Sequence, residues 1–257
     1  MNEIPIARRD IIANRLDQGQ PAVAAELATE FGVSEDAIRR DLRALAAEGR
    51  CRRVYGGALP ISPASTSMVV RVDEARERKD ALARVAASLV QPGQLIFLDN
   101  GSSNLAVVKF LPADCRITVA TNSISIASEV VARKDLQLLM IGGIVDPHVG
   151  GCVDASAIAM VSAMNFDHCF IGACAIAAAT GVCAFNMADS MFKKSLVTSG
   201  QHNVVIATSE KLETRAPYRV STLSEIDHFV VEYDAPDEKV RLLAQANATV
   251  LRAAAPI

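Results

Sequence analysis

Phe31-Gly32-Val33-Ser34-Glu35-Asp36-Ala37-Ile38-Arg39-Arg40-Asp41-Leu42 is the stretch from which the rest of the chain is read. Ser34 is a helix N-cap candidate, and Glu35 and Asp36 put acids in the first turn, where the helix dipole favours them. Ile38, Leu42, Leu45 and Ala46 recur at helical spacing, so one stripe of a helix over 34–48 is predicted to be buried. At 100° per residue Asp36, Arg40, Arg43 and Ala47 fall on the opposite face, with Arg39 on its flank. Gly49 ends the helix. Upstream, Ile4, Ile11, Ile12 and Leu16 predict a helix over 4–18 that Gly19 stops. Pro21 is read as opening a second helix through Ala24, Leu27, Ala28 and Phe31. Downstream, residues 50–55 read as a strand and Gly56-Gly57 as a turn, which together would make a wing. Helix, short helix, tight Gly-Val-Ser turn and helix is the pattern of a helix-turn-helix with a solvent-facing third helix. By periodicity alone a small bundle whose arginines are merely solvated fits equally well.

Composition bounds the rest. The chain has 257 residues, 51% of them hydrophobic, and a formal net charge of −3. That is apolar enough for a sizeable core and rules out wholesale disorder. Weak acidity gives no bulk sign of a nucleic-acid binder. The cations are unevenly placed, however: every one up to Arg78 is arginine, and six of them lie between Ser34 and Leu59 against four acids. Arginine's planar fork binds phosphate or guanine edges bidentately, which lysine cannot do. No run reaches 18 consecutive apolar residues and Met1 to Asp10 lacks a signal-peptide core, so a cytoplasmic protein with no membrane contact is expected. The six cysteines form no CxxC pair and no His stands at zinc-ligand spacing. They read as small buried hydrophobes, with no metal or cofactor expected.

Residues 1–58 are thus assigned to a first domain and 59–70, with two prolines, three serines and a threonine in 59–67, to a linker. Residues 71–257 form a second domain, opening with a charged, alanine-rich helix over 72–89. From Gln91 the rhythm changes to continuous apolar runs alternating with helical patterns: 95–98, 117–120, 136–141, 169–171, 204–207, 229–231 and 250–251. Such runs suit parallel strands covered on both faces, hence an α/β layered domain that would bind ligands at the C-terminal strand ends. Polar and Gly clusters stand there: Asp99, Gly101, Ser102 and Ser103 before a helix, then Thr121-Asn122-Ser123, then Gly142-Gly143, then Ser209-Glu210-Lys211. A glycine with hydroxyls at a helix N-terminus can cradle an anion, although an ordinary N-cap turn looks the same. Taken together, these loops favour a small anionic ligand. His148, His168, His202 and His228 are scattered and read as structural or exposed.

The residues 30–58, with the rare Ile38-Arg39-Arg40-Asp41-Leu42 run and the later Arg53-Val54-Tyr55-Gly56-Gly57-Ala58, closely resemble the DeoR family of bacterial transcriptional regulators, whose signature is F-x-V-S-x-x-T-I-R-R-D-L followed by R-x-x-G-G-A. Ala37 departs from the usual Thr. The resemblance implies a winged helix-turn-helix with helix 34–48 in the major groove of an operator duplex. Arg40 and Arg43 would make groove contacts, with Asp36 and Ala37 nearest the bases and Arg39 and Arg53 on phosphates; Ser34 and Glu35 are counted among the DNA-binding residues. The second domain also resembles that family's sensor domain through Asp99 to Ser103, Thr121 to Ser123, Ile141 to Gly143, Phe166 to Gly172, Asp189 with Lys193, and Ser209 to Lys211. This implies a mostly parallel, ribose-5-phosphate isomerase-like domain in a homo-oligomer, dimeric or tetrameric. It would sense a phosphorylated sugar through Asp99, Gly101, Ser102, Ser103, Thr121, Asn122, Gly142, Gly143, Lys193 and Lys211. An isomerase with an accessory DNA-binding head is the alternative. The acids that sugar-phosphate isomerisation needs for proton transfer fall, by that resemblance, on Ile171, Cys174, Ala175 and Lys193, so no catalytic residue is assigned. The expected function is a repressor of a carbohydrate-catabolic operon.

Overall fold

The computed structural model describes residues 5–17, 20–54, 56–60 and 75–255, and the chain divides into two compact units, Met1–Thr66 and Ser67–Ile257. In the first unit, α1 (Pro5–Asp17), α2 (Ala24–Phe31) and α3 (Glu35–Ala47) pack around Ile12, Leu16, Leu27, Ile38, Leu42 and Leu45. Ser34 caps α3 by accepting the Ala37 N–H at 3.3 Å, and Gly32 closes α2 in the left-handed region at φ 63°. The buried stripe Ile38, Leu42 and Leu45 is as the spacing predicts, while Ala46 stays half-buried. Arg8 holds Asp41 at 2.6 Å and so ties α1 to α3 in a partly buried pair.

Pro21 does not open a helix. It precedes a two-residue strand, β1 (Ala22–Val23), and α2 begins at Ala24 with no side-chain cap on Val23. The wing supplies the reason: β2 (Cys51–Val54) and β3 (Gly57–Pro60) form an antiparallel hairpin, and β1 adds to it as Ala22↔Ala58 and Val23↔Gly57. Proline's fixed φ suits extended backbone before a strand as well as it suits a first helical turn. Leu59 and Pro60, given to the linker by composition, are the end of β3. The rest of that linker, Tyr55 and Arg71 lie outside the described residues. The helix expected over 72–89 is described as α4 (Arg76–Ala87), after Ala75 in the left-handed region at φ 51°.

The second unit is built on seven strands, all parallel: β4 (Leu95–Leu98), β5 (Thr118–Thr121), β6 (Gln137–Met140), β9 (Phe166–Ile171), β12 (Gly200–Ala207), β14 (His228–Val231) and β15 (Thr249–Arg252). Their spatial order is β15-β14-β12-β9-β4-β5-β6. Side chains alternate between two cores. Ile96, Leu98, Val119, Phe170, Val204 and Val230 meet α4, α5 (Ser102–Phe110) and α6 (Ile124–Ala132) on one face. Phe97, Phe166, Ile171, Val205 and Phe229 meet α7 (Ala155–Ser162) and α8 (Met187–Ser199) on the other. The chain moves outward from β4 to β6, then returns to β9 on the far side of β4 and moves outward again through β12 and β14. The gap between β4 and β9 is therefore a topological switch point, where open α/β sheets leave a crevice at the carboxyl ends of their strands. A helix-free pair, β7 (Val145–Asp146) with β8 (Gly151–Cys152), and a small antiparallel sheet of β10 (Ala175–Ala177), β11 (Gly181–Ala184) and β13 (Tyr218–Ser221) complete the described elements, together with α9 (Asp237–Ala244).

Gly57 is where the wing is most tightly constrained, because a Cβ there would collide with the Ala22 carbonyl oxygen. Gly57→Ala is expected to destabilise the first unit by about 1–3 kcal/mol. Amide exchange over α1–α3 should quicken while exchange in the second unit stays as it was.

Candidate functional site

In the first unit, α3 turns Glu35, Asp36, Arg39, Arg40 and Arg43 to solvent, with Ser34 also exposed and Ala37 half-buried. Arg53 on β2 is exposed as well. These arginines are not equivalent. Arg39 holds Glu35 at 2.6 Å and lies 3.6 Å from Asp36, so its charge is answered within its own helix. Arg40, Arg43 and Arg53 have no ion-pair partner among the described residues.

At the switch point of the second unit, the ends of β4 and β9 are joined through Asp99. Its side chain is 0% exposed; Oδ2 accepts the Gly172 N–H at 2.7 Å and Oδ1 the Asn100 N–H at 2.8 Å. Lys193, 2% exposed on α8, sets its Nζ 3.2 Å from Asp99 Oδ2 and also donates to Asp189 one turn earlier on the same helix. A charge buried so deeply needs partners, and Lys193 has two carboxylates. Burial pushes the Asp99 carboxyl up, to about 6; Lys193 pulls it back and Asp189 adds to the rise. Burial pulls the Lys193 ammonium down, but Asp189 and Asp99 more than offset this and hold it above its ordinary value.

A shell of amides surrounds this core. Asn104 Nδ2 donates to the carbonyls of Asp99 and Phe170, both at 2.9 Å, bridging β4 and β9 again. Asn122 Nδ2 donates to the Cys152 carbonyl at 3.1 Å, and its Oδ1 accepts the Asn100 N–H at 3.3 Å. Asn100 Nδ2 donates to the Val149 carbonyl, which fastens the β7–β8 hairpin to the site. Thr121 donates to the Leu98 carbonyl at 2.7 Å, and Ser123 donates to Asn100 Oδ1 at 3.4 Å. Asn186 caps α8 on the Asp189 N–H and reaches Asp146 of the hairpin at 3.2 Å.

The predicted effector residues therefore separate into two groups. Asp99, Ser103, Thr121, Asn122 and Lys193 are buried, and Asp99, Thr121, Asn122 and Lys193 are bonded to one another or to adjoining strands. Gly101, Ser102, Gly142 and Lys211 are partly exposed and Gly143 is exposed. Lys211 stands in a 3-10 turn; burial, then Asp189, pushes the Cys174 thiol up, and Lys193 and Lys211 pull it back in part. Gly142-Gly143 belongs elsewhere: its neighbour Ile144 donates its N–H to Asp154, the cap of α7, at 2.9 Å, and a Cβ on Gly143 would meet that carboxylate. The sequence reading missed Asn100, Asn104, Asp146 and Asn186. Asn100 sits inside the quoted Asp99 loop and Asn104 directly after it, where an amide beside a strand end was the available signal.

Three of the histidines read as scattered are neighbours. His168, His202 and His228 stand on β9, β12 and β14 of one sheet face, with ring centroids 5.3 and 6.4 Å apart. Burial, then the other two rings, lowers the His168 imidazole. Of the six cysteines, Cys51, Cys152, Cys169 and Cys183 are buried, whereas Cys115 and Cys174 are only partly so.

Residues 74–233 match the model of the DeoR C terminal sensor domain and residues 8–64 that of the DeoR-like helix-turn-helix domain. The chain belongs to the DeoR family. It is a DNA-binding transcriptional regulator with a C-terminal sensor domain. It is similar to the uncharacterized HTH-type transcriptional regulator YgbI of Escherichia coli K12, at 29% identity over 96% of this chain and 98% of that one. It is also similar to the glycerol-3-phosphate regulon repressor of the same organism, at 26% identity over 82% and 83%. Among solved structures, ribose 5-phosphate isomerase A from Methanocaldococcus jannaschii covers 53% of this chain and 54% of its own at 15% identity and a TM-score of 0.39, a partial likeness from which no residue role follows. No described helix is long and apolar enough to cross a membrane.

The raised Asp99 carboxyl gives a pH signature. The folded state holds this proton to a higher pH than the unfolded chain does, so it binds more protons between about pH 4 and 6, and stability falls as pH rises through that window. Lys193 has the opposite placement: its contribution is complete at neutral pH and is lost as pH climbs from the ordinary lysine value through its raised one. Asp99→Asn should remove the first slope, at most about 3 kcal/mol. The check is the denaturant midpoint of both proteins from pH 4 to 7; parallel profiles would contradict the assignment.

Proposed function

We propose that the regulator is a cytoplasmic repressor of a carbohydrate-catabolic operon, released or modulated by a phosphorylated sugar, and that it acts as a homo-oligomer. The observation that carries the effector reading is the arrangement at the switch point. A dry cluster of Asp99, Asp189, Lys193 and amides locks the strand ends, and next to it in the chain Gly101 and Ser102 open α5 in partly exposed positions. Backbone N–H groups at a helix start together with a nearby cation suit a phosphate. Lys211 is the cation we assign to that phosphate. Lys193, already shared between two carboxylates, keeps the cradle in shape. Asp99 supports the same reading, since its two oxygens are both occupied and it is closed to solvent. Carbohydrate phosphates are favoured as a class by the regulator's similarity to a glycerol-3-phosphate regulon repressor.

On DNA, Arg40 and Arg43 are assigned to the major groove, with Asp36 and Ala37 nearest the bases and Arg53 on a phosphate. Arg39 is demoted by its ion pairs with Glu35 and Asp36. One small reading head offers few contacts, and joined heads multiply affinity by effective concentration.

A thermal-shift panel tests the effector reading. Phosphorylated sugars and glycerol 3-phosphate should raise the melting temperature of the sensor unit, and the unphosphorylated sugars should not. Absence of a shift across the panel would count against sensing. Arg40→Ala is expected to weaken binding to a duplex from the regulator's own upstream region by about 1–3 kcal/mol, and Arg39→Ala by less. Anisotropy titrations at several salt concentrations measure both. Equal losses would sink the distinction between the two arginines.

A further inference from the structure

A second charged cluster lies apart from Asp99 and Lys193, and it joins the turn carrying Lys211 to the start of α4. Arg78, in the first turn of α4, grips Glu232 as a fork, Nε to Oε1 at 2.5 Å and Nη2 to Oε2 at 2.7 Å. The same Nη2 lies 2.7 Å from Glu210 Oε1. Glu232 is 3% exposed at the end of β14, and its Oε2 also accepts the Ser209 N–H at 2.8 Å. Ser209, Glu210 and Lys211 form one 3-10 turn, closed by Lys211 N–H to the Thr208 carbonyl at 3.0 Å and Leu212 N–H to the Ser209 carbonyl at 3.2 Å. Two of the three residues of this turn are thus fastened to the Arg78–Glu232 pair, and the third is Lys211. So small a turn cannot shift at Lys211 without carrying Glu210 and Ser209 with it. A cavity of about 200 Å³ borders the cluster, lined by Arg78, Ala81, Glu232 and Ala253 among others.

We propose that Arg78 is the positioning residue that couples the Lys211 turn to α4, the first described helix after the segment joining the DNA-reading unit to the sensor. An anion drawn to Lys211 moves the turn. Glu210 and Ser209 then alter their hold on Arg78 and Glu232, and because Glu232 is anchored at a buried strand end, α4 is the element that responds. The coupling rests on Lys211 being an effector contact, as assigned above. It requires a contact network that both sites bias, and this ion-pair cluster supplies one.

The test uses the full chain with Arg78→Gln, Arg78→Lys and Lys211→Gln. Glycerol 3-phosphate and glucose 6-phosphate serve as probes, with a duplex from the upstream region as DNA. In Arg78→Gln the probe's melting shift and the affinity for DNA without probe should stay within about threefold of wild type, while the probe-induced change in DNA affinity falls towards one. Arg78→Lys should restore part of that change, since an ammonium meets one carboxylate but not the fork. A purely structural Arg78 would lower stability and leave the ratio intact, and that result overturns the proposal. Coupling is also read without ligand, as a double-mutant cycle on amide exchange over residues 76–81. Lys211→Gln should change that exchange when Arg78 is present and not when it is Gln; additive effects overturn the proposal. If neither probe shifts the wild-type protein while the cycle remains non-additive, the effector reading fails and the coupling stands.

Discussion

The sensor unit depends on the buried ammonium of Lys193. Lys193 reaches from α8 into the gap between β4 and β9 and meets Asp99 and Asp189 there. Removing an ammonium from water costs several kcal/mol even after the protein relaxes around it. Two carboxylates offset that cost only while their geometry holds, so α8 and the ends of two strands are fixed together. Gly172 is the other half of the constraint. A Cβ there would lie 2.6 Å from the Asn100 carbonyl oxygen and 2.9 Å from Asp99 Oδ2, so only glycine lets β9 end close enough to donate its N–H to Asp99. The switch point is consequently sealed rather than open. Two carboxylates against one ammonium also leave the cluster formally negative. An incoming phosphate would be repelled by its interior, which agrees with the proposed placement of the ligand at the helix start at Gly101 and at Lys211.

Much of this architecture was legible as runs of apolar residues, because a parallel strand covered on both faces has no polar side to interrupt its pattern. All seven central strands sit where those runs fall, and the boundaries that moved did so for a visible reason. β12 begins at Gly200, four residues earlier than the run from Val204, because Gly200, His202 and Asn203 pair with β9 although none of them belongs to the apolar run. Periodicity cannot find such residues. The same blindness hid the histidine row, whose members are neighbours only through the strand register. β10, β11 and β13 were missed for another reason. Ala175–Ala177 is too short and too poor in branched side chains to read as a strand, and it is extended because Ile176 and Val182 pack into the larger core.

The site was legible as loops but not as roles. Asp99, Asn122 and Lys211 were picked out by position and Lys193 only through the family resemblance, yet spacing could not show that Lys193 is consumed by two acids. Burial separates the two lysines, and burial at a strand end is set by which helix lands there. In the DNA-reading unit the order is reversed. There the helix start, its cap and its exposed face follow from local chemistry alone, and Ser34, Arg40 and Arg43 are where the sequence puts them.

That local chemistry also changes the meaning of a net charge of −3. Residues 1–59 hold nine arginines and nine acids and so sum to zero. The acids are not spread evenly against them. Asp41 holds Arg8, Glu30 holds Arg15, Glu48 approaches Arg9 at 3.7 Å and Glu35 holds Arg39. What is left unanswered among the described residues includes Arg40 and Arg43 on the exposed face of α3 and Arg53 on the wing. Neutrality therefore comes largely from pairs, of which Glu35–Arg39 alone among these four lies on the exposed side of α3, and the positive field there is local to Arg40 and Arg43. A Debye length near 8 Å in physiological salt makes such a field effective only close to the phosphates. Few unpaired cations release few counterions, so a single head binds with a shallow salt dependence and limited affinity. Tight occupancy of an operator then has to come from several heads acting together, which is the physical case for the oligomer proposed above.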